Sequence, residues 1–318
     1  MPAPVETMLD LGCGCGIQAL FAARHCTQVV ATDISAAAIH YTKFNALLNN
    51  IDNVECISGD LFEPVRNRQF DLIVSNPPFV VSPSHTFVYR DNALELDEFC
   101  KILIQEAPQF LRDDGHLQLL CEWVEISGQS WLERIQGWVR GCDAWVLHAA
   151  PIPPASYVRQ RISDISGDSV DPGSADEWTA YLDKHKVQSI HPGMIVLRRR
   201  DGENWLHVQN LPGDVTTAAG DAVADGIAAV EFLEACDDDS LLDATLAISD
   251  QLATEQLESS GDATAIRLKM NNGLSTEAEI DGTVAAFLDY FDGKRRSDSA
   301  LQNFLQRPAW TCFRSCVY

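Results

Sequence analysis

The 318-residue chain carries 46 Asp and Glu against 23 Lys and Arg, a formal net charge of −23, and 46% of its residues are hydrophobic. This is the composition of a globular protein, and its negative field argues against nucleic-acid binding by bulk charge and against docking on an anionic membrane. No apolar run approaches the roughly 20 residues that span a bilayer, and the first residues lack the basic and apolar regions of a signal peptide. We therefore expect a soluble, cytoplasmic protein with no membrane segment.

Ten cysteines are scattered along the chain, at positions 13, 15, 26, 56, 100, 121, 142, 236, 312 and 316. Disulfide frameworks are typical of short secreted chains, and structural zinc sites usually show two close cysteine pairs at a regular interval. Only Cys13/Cys15 and Cys312/Cys316 are closely spaced here. We therefore expect free, mostly buried thiols and no metal site.

Strand and helix patterns alternate through the first 150 residues. Apolar runs predict strands over residues 5–11, 28–32, 54–58, 70–75, 116–123 and 143–148. Helical periodicity predicts helices over residues 17–26, 35–49, 94–111 and 130–139. This alternation indicates a doubly wound, mostly parallel α/β sheet of Rossmann-like type, in which ligands bind at the carboxyl ends of the strands.

The later part of the chain is more polar and more acidic. A stretch rich in Pro, Gly and Ser over residues 152–175 precedes a predicted helix over 177–185 and a predicted hairpin of residues 194–199 and 205–209. Residues 201–318 hold 21 Asp and Glu against 7 Lys and Arg. Predicted helices over 217–235, 240–256 and 277–291 and a strand over 263–270 indicate a small, mainly helical α+β domain of winged-helix-like type. The expected domains are residues 1–210 and 211–318.

The first predicted strand ends in a glycine-rich turn, Asp10-x-Gly12-x-Gly14-x-Gly16, that leads into a helix. Glycines let the backbone bend tightly and come close to a ligand at the helix N-terminus. A dinucleotide fingerprint needs glycine at the position of Ile17, and no phosphate-loop pattern is present. The turn therefore predicts a ligand-binding loop that does not follow the NAD pattern.

Two further acids follow the second and third predicted strands. Asp33 ends the second strand, where a carboxylate can accept hydrogen bonds from both hydroxyls of a ribose, although acids also cap helices. Asp60 and Leu61 follow the third strand, where a carboxylate and an apolar side chain can contact the amino group and the ring of a flat base such as adenine. A simple turn acid is the alternative for Asp60.

The fourth predicted strand ends in Asn76-Pro77-Pro78-Phe79, which we call the tetrad. Consecutive prolines restrict the backbone and leave carbonyl groups available as acceptors. The Asn76 side-chain oxygen and the Pro77 carbonyl oxygen can each accept a hydrogen bond from one N–H of a planar NH2 group. These two hydrogen bonds make the nitrogen of that group nucleophilic enough to attack a methyl group. Phe79 offers a face on which a flat amide or base can stack.

Together, these motifs resemble the small-domain class I S-adenosylmethionine-dependent methyltransferases, which include release-factor glutamine methyltransferases and ribosomal-RNA guanine-N2 methyltransferases. The resemblance covers residues 5–125 and implies N-methyl transfer centred on Asn76, Pro77, Pro78 and Phe79. It also implies S-adenosylmethionine bound by Asp10, Gly12, Gly14, Gly16, Asp33, Asp60 and Leu61.

Acceptor recognition is less clearly encoded. Residues 79–91 lie where such enzymes shape the acceptor pocket, so Tyr89 and Arg90 are candidate substrate contacts, with a surface salt bridge as the alternative for Arg90. Members of the family usually carry a recognition domain or helices ahead of the first strand, whereas the glycine loop begins at Gly12 here. The acidic residues 211–318 are likewise not part of the common core. Both departures bear on acceptor choice.

Three functions remain open at this point. The negative charge favours a protein glutamine or asparagine amide as the methyl acceptor. A nucleobase of RNA or DNA would use the same chemistry, and the basic triplets at 198–200 and 294–296 are the candidate contacts for it. The third function is a cofactor-binding scaffold without catalysis. We expect the acidic C-terminal domain to bind a protein partner or a basic surface.

Overall fold

A computed structural model describes residues 5–83, 94–166, 172–211, 219–257, 265–270, 274 and 277–305 of the chain. The chain divides into two compact units, Pro2–Asn210 and Leu211–Tyr318. Among the described residues, no helix combines the length and the apolar character needed to cross a membrane.

The first unit is built on a twisted sheet flanked by helices. Its strands are β1 (Thr7–Leu11), β2 (Gln28–Asp33), β3 (Val54–Ser58), β4 (Phe70–Ser75), β5 (Leu111–Ile126), β6 (Cys142–His148), β7 (Val187–Arg199) and β8 (Leu206–Asn210). Its helices are α1 (Ile17–Ala22), α2 (Ala36–Leu48), α3 (Glu98–Glu106), α4 (Trp131–Trp138), α5 (Pro154–Ser166) and α6 (Pro172–Lys184).

The strand order in this sheet is β3-β2-β1-β4-β5-β7-β6-β8. β7 runs antiparallel to both of its neighbours, β5 and β6, whereas the other neighbouring strands are parallel. The predicted mostly parallel α/β fold is therefore confirmed. The carboxyl ends of β1 to β4 lie along one edge, which is where the predicted motifs follow the strands.

Two apolar clusters form the core of the first unit. The larger one fills the space between the central strands and helices α3 and α4, and contains the fully buried Trp123. The smaller one packs α5 and α6 against the carboxyl end of β5 and the amino end of β7, and it includes Val80 and Val81. Phe79 packs against both clusters, so the tetrad leads from one into the other.

Three predictions for the first unit were wrong in detail. The helix predicted over 94–111 ends at Glu106, and a short 3₁₀ turn containing Pro108 leads into β5, because proline cannot continue the helical hydrogen bonds. The stretch over 152–175 contains α5, which buries Tyr157, Val158 and Ile162 despite its polar composition. The predicted hairpin does not form, since β8 pairs with β6 and β7 lies between β5 and β6.

The second unit contains helices and a small antiparallel sheet. Its elements are α7 (Ala219–Ala235), α8 (Asp238–Asp243), β9 (Leu252–Leu257), β10 (Ala265–Met270), β11 (Glu277–Asp281), α9 (Gly282–Leu288) and α10 (Ser297–Leu305). Its three described strands are ordered β11-β10-β9. Its winged-helix-like character stays a prediction.

Helices were predicted at two places in this unit where the chain forms strands. The helix predicted over 240–256 ends at Asp243 and is followed by β9, and the helix predicted over 277–291 starts only after Asp281 caps it. Arg267 on the central strand β10 lies within ion-pair distance of Glu255 and Glu279 on the two flanking strands. Such cross-strand charge pairs favour the sheet, and helical periodicity along one segment does not reveal them.

The centre of the sheet leaves no room for a side chain at Gly193. A Cβ atom there would lie 2.3 Å from the Leu147 carbonyl oxygen and 2.6 Å from the Trp123 ring. We expect Gly193→Ala to lower the free energy of unfolding by about 1–3 kcal/mol or more, because buried overpacking strains its neighbours. The matched control is Gly137→Ala in α4, where nothing lies within 4 Å and alanine favours the helix. Urea unfolding followed by circular dichroism measures both, and equal stabilities would contradict the prediction.

Candidate active site

The glycine loop after β1 has a backbone conformation that residues other than glycine rarely adopt. Gly12, Gly14 and Gly16 have φ angles of 76°, 55° and 83°, all in the left-handed region. At Gly16 an added Cβ would also lie 2.6 Å from the Thr42 side chain. The glycines are therefore required by conformation at three positions and by space at Gly16.

Polar groups of α2 hold this loop in place. The Thr42 hydroxyl donates to the Gly14 carbonyl oxygen at 3.1 Å, and the Asn45 amide donates to the Cys15 carbonyl oxygen at 2.9 Å. Sequence reasoning missed both residues, because one polar pair three residues apart on a helix does not stand out. The loop shape therefore depends on α2 as well as on its own glycines.

The cysteines of the loop differ in their surroundings. Cys13 is buried and its sulfur lies 3.3 Å from the Thr42 hydroxyl, whereas Cys15 is exposed. Burial raises the pKa of the Cys13 thiol to about 12, so this sulfur stays protonated at neutral pH. The eight cysteines within the described ranges are all free thiols; Cys312 and Cys316 lie outside those ranges.

Asp10 lies beneath the loop at the end of β1 and is only 1% exposed. Its Oδ2 accepts a hydrogen bond from the Ala19 N–H at 2.9 Å, while its Oδ1 is buried and has no hydrogen-bond partner among the described residues. Burial, with a smaller contribution from Asp33, raises the pKa of Asp10 to about 7. An unpaired buried carboxylate oxygen is costly, so this position suits a ligand that carries an amino group.

Asp33 fastens the glycine loop to the end of β2. Its Oδ2 accepts from the Gly14 N–H at 3.0 Å, and its Oδ1 accepts from the Ser35 N–H at 2.8 Å. A carboxylate offers about four lone-pair sites, so two remain for hydroxyl donors. The residue therefore shapes the loop, and a ribose-binding role stays a prediction compatible with this geometry.

Asp60 and Leu61 lie next to Asp33 along the same edge. The Gly59 N–H donates to the Asp33 carbonyl oxygen at 3.0 Å, which ties the loop after β3 to the end of β2. Asp60 is exposed, and Leu61 has a φ of 44°, an uncommon conformation for leucine. The structure brings both residues to the predicted edge, and their contacts with adenine stay a prediction.

The tetrad and the glycine loop begin side by side, at the carboxyl ends of the adjacent strands β4 and β1. Leu11, the last residue of β1, pairs with Ser75, the last residue of β4, and the Ser75 hydroxyl donates to the Leu11 carbonyl oxygen at 2.7 Å. Asn76 is exposed and Phe79 is half-buried. The tetrad thus starts beside the cofactor loop predicted from the sequence. The candidate substrate residues Tyr89 and Arg90 lie outside the described residues.

Comparison with known proteins tests the resemblance that the sequence motifs predict. Residues 1–137 match the family model described as the methyltransferase small domain. This match confirms, for that part of the chain, the predicted resemblance to class I methyltransferases that use S-adenosylmethionine. The buried Asp10 oxygen and the glycine loop fit this cofactor, which carries an amino group and a nucleoside.

The names of the curated relatives indicate two kinds of methyl acceptor, ribosomal RNA and a protein glutamine. The chain is 32% identical over 126 residues to a ribosomal RNA small subunit methyltransferase C of Alcanivorax borkumensis, covering 40% of this chain and 35% of that protein. It is 36% identical over 134 residues to a release factor glutamine methyltransferase of Xylella fastidiosa, covering 38% of this chain and 48% of that protein. The chain thus spans between about a third and a half of these relatives.

A solved methyltransferase from Pyrococcus furiosus is similar to 61% of this chain, at 19% identity, 75% coverage of that protein and a TM-score of 0.36. The names of the relatives differ in the methyl acceptor, so the comparisons do not distinguish a protein from an RNA substrate.

Removal of the Asp33 carboxylate tests the predicted cofactor contacts. We expect Asp33→Ala to weaken binding of S-adenosylhomocysteine by about tenfold to a hundredfold, because charge-assisted hydrogen bonds are lost and Gly14 loses its anchor. Isothermal titration calorimetry measures the affinity. Asp52→Ala, which removes an exposed acid after α2, is the matched control and should bind normally. Unchanged affinity in Asp33→Ala would overturn the assignment.

The raised pKa of Asp10 predicts a pH-dependent affinity. The free protein protonates this carboxyl as the pH falls below about 7, whereas a bound amino group keeps it ionised. S-adenosylhomocysteine should therefore bind about tenfold more weakly at pH 6 than at pH 8. Calorimetry across this range should show the slope in the unaltered protein and a flatter profile in Asp10→Asn. Parallel profiles for the two proteins would refute the contact.

Proposed function

We propose that the protein transfers a methyl group from S-adenosylmethionine to the nitrogen of a planar NH2 group, and that a protein glutamine or asparagine amide is the favoured acceptor. The observation that carries this proposal is the register of Leu11 with Ser75, which starts the glycine loop and the tetrad at the same level of adjacent strands. A cofactor in the loop and an acceptor on the tetrad would then be neighbours.

The tetrad residues have separate parts in this proposal. The Asn76 side-chain oxygen and the Pro77 carbonyl accept the two N–H groups of the acceptor, which draws the nitrogen lone pair out of conjugation. Phe79 provides the flat surface against which the amide stacks. When bound, S-adenosylmethionine supplies an electrophilic methyl group. No general base is needed before attack, since the nitrogen loses its proton after it has gained the methyl group.

The first basic triplet is a poor nucleic-acid contact. Arg198 is buried and pairs with Asp143 at 2.8 Å, and Arg199 donates to the Leu111 carbonyl oxygen at 2.6 Å. Arg199 also pairs in the sheet with Cys142, the first residue of β6. These arginines therefore lie towards the amino ends of the parallel strands, opposite the edge that carries the tetrad, which supports a protein acceptor over RNA.

The second basic triplet is also engaged in ion pairs. Arg295 pairs with Asp292 at 2.9 Å, and Arg296 pairs with Asp243. A phosphate contact would have to compete with these carboxylates. The acidic second unit is accordingly better suited to a protein partner or a basic surface than to nucleic acid.

Relatives support both acceptor classes. Besides the release factor enzyme, a ribosomal protein uL3 glutamine methyltransferase of Bradyrhizobium diazoefficiens is 32% identical over 137 residues. The ribosomal RNA enzyme of Alcanivorax borkumensis keeps a nucleobase acceptor as the second candidate. A cytoplasmic location is part of this proposal, and a cofactor-binding scaffold without catalysis is the third candidate function.

The acceptor class can be read from one labelling experiment. The full chain is incubated with a bacterial lysate and S-adenosylmethionine labelled in the methyl group, and the product is divided between protease and nuclease treatment. We expect protease alone to release the label, because the acceptor is a protein amide. Asn76→Ala should bind S-adenosylhomocysteine almost normally and transfer at least about a hundredfold less label, since binding of the reacting amide is lost.

Results other than release of the label by protease alone would favour the nucleobase acceptor or the non-catalytic scaffold, or would exclude the tetrad from the reaction. Release by nuclease alone would replace the protein acceptor with a nucleobase. Absence of label, with cofactor binding intact, would favour the scaffold. Equal transfer by Asn76→Ala and the unaltered protein would remove the tetrad from the mechanism.

A further inference from the structure

A buried polar network holds the chain just after the tetrad. The Val81 N–H donates to the Tyr157 hydroxyl at 3.0 Å, and that hydroxyl in turn donates to the Glu122 carboxylate at 2.5 Å. The other oxygen of Glu122 pairs with the Arg161 guanidinium. Tyr157 and Arg161 come from α5, and Glu122 comes from β5, so residues far apart in sequence meet at one main-chain group.

The network determines which way the tyrosine hydroxyl points. Tyr157 and Glu122 are 0% and 1% exposed. Burial raises the pKa of Glu122, and the adjacent Arg161 opposes this shift and favours the ionised carboxylate. Both Glu122 oxygens accept hydrogen bonds, one from Tyr157 and the other from Arg161, so the Tyr157 proton points towards Glu122 and the oxygen lone pairs are available to the Val81 N–H.

Stability alone is a poor explanation for these buried charges. Apolar residues of similar volume usually stabilise a protein as well as a buried ion pair does, because desolvation offsets the attraction between the charges. What such a network provides is a defined position for the groups it contacts. The main-chain group at its end, the Val81 N–H, lies two residues after Phe79.

The tetrad is therefore held on both sides. Before it, the Ser75 hydroxyl bonds to the Leu11 carbonyl oxygen on the strand that leads into the glycine loop. After it, Val81 bonds to Tyr157, and the buried Val81 side chain packs in the smaller core cluster. The two prolines between these points contribute no N–H donor. The two flanking attachments thus help to fix the positions of Asn76 and Phe79, together with the packing of Phe79 against the core clusters.

We propose that Tyr157, oriented by Glu122 and Arg161, is a positioning residue that sets where the tetrad presents the acceptor nitrogen. This inference rests on the proposed N-methyl transfer. Tyr157 acts through the main chain and contacts no reacting atom. A displacement of the tetrad by a fraction of an ångström would leave cofactor binding intact and lower the rate of transfer, because in-line attack is sensitive to distance and angle.

The test compares Tyr157→Phe with Tyr181→Phe in the full chain. Tyr181 on α6 is a matched control, because its hydroxyl also accepts a main-chain N–H, that of Leu96, at 2.9 Å. For Tyr157→Phe we expect faster hydrogen exchange at the Val81 amide, an affinity for S-adenosylhomocysteine within twofold of normal, and a methyl-transfer rate lower by about tenfold or more at saturating acceptor. Tyr181→Phe should leave the Val81 amide unchanged and lower the rate much less.

The outcomes separate this proposal from the function on which it rests. If the unaltered protein labels no acceptor, the proposed function fails, while exchange at Val81 still tests the attachment. If it labels the acceptor and Tyr157→Phe transfers at the normal rate, or if both variants lose the same activity, the positioning role is overturned. Should Tyr157→Phe not fold, Glu122→Gln replaces it, since it removes the charge that orients the hydroxyl and should lower the rate in the same way.

Discussion

The site depends on the pairing of β1 with its two neighbours. Leu11 pairs with Thr32 of β2 on one side and with Ser75 of β4 on the other, so three parallel strands end level with one another. The Thr32 carbonyl oxygen then accepts the N–H groups of Gly12 and Cys13, each at 2.9 Å, which turns the chain into the glycine loop. A slip of one residue would reverse the faces of β1 and separate the loop from its neighbours.

Much of this edge could be predicted from the sequence, because its signals are local. A buried strand followed by glycines, by Asp33 or by Asn76 and two prolines can be recognised within a few residues. Parallel strands that alternate with helices then bring their carboxyl ends together. The three glycines were predictable for the same reason, since a left-handed backbone restricts the choice of residue wherever it occurs.

The rest depends on contacts between distant segments, which local patterns do not contain. Glu122 and Tyr157 are 35 residues apart, and the burial of Tyr157 depends on α5 within a stretch that reads as polar. β7 is inserted between β5 and β6, so chain order misleads about which strands pair. In the second unit, Arg267 stabilises a sheet from a central strand whose partners lie on both sides of it in sequence. Tertiary pairing overrides helical periodicity there.

The negative net charge of the chain is matched by a concentration of acidic residues in the candidate active site. Asp10, Asp33 and Asp60 lie at or just after the carboxyl ends of three neighbouring strands, and the charge of Asp33 contributes to the raised pKa of Asp10. The protein thus concentrates like charges where one carboxylate oxygen, Oδ1 of Asp10, is buried without a hydrogen-bond partner in the part of the chain that the structure describes. Such an arrangement lowers the stability of the free protein near neutral pH, and a positively charged ligand relieves the repulsion and the lost hydration together. The negative field is therefore unfavourable for polyanions but favourable for a cationic cofactor, so the same charge that disfavours RNA supports the cofactor predicted from the glycine loop.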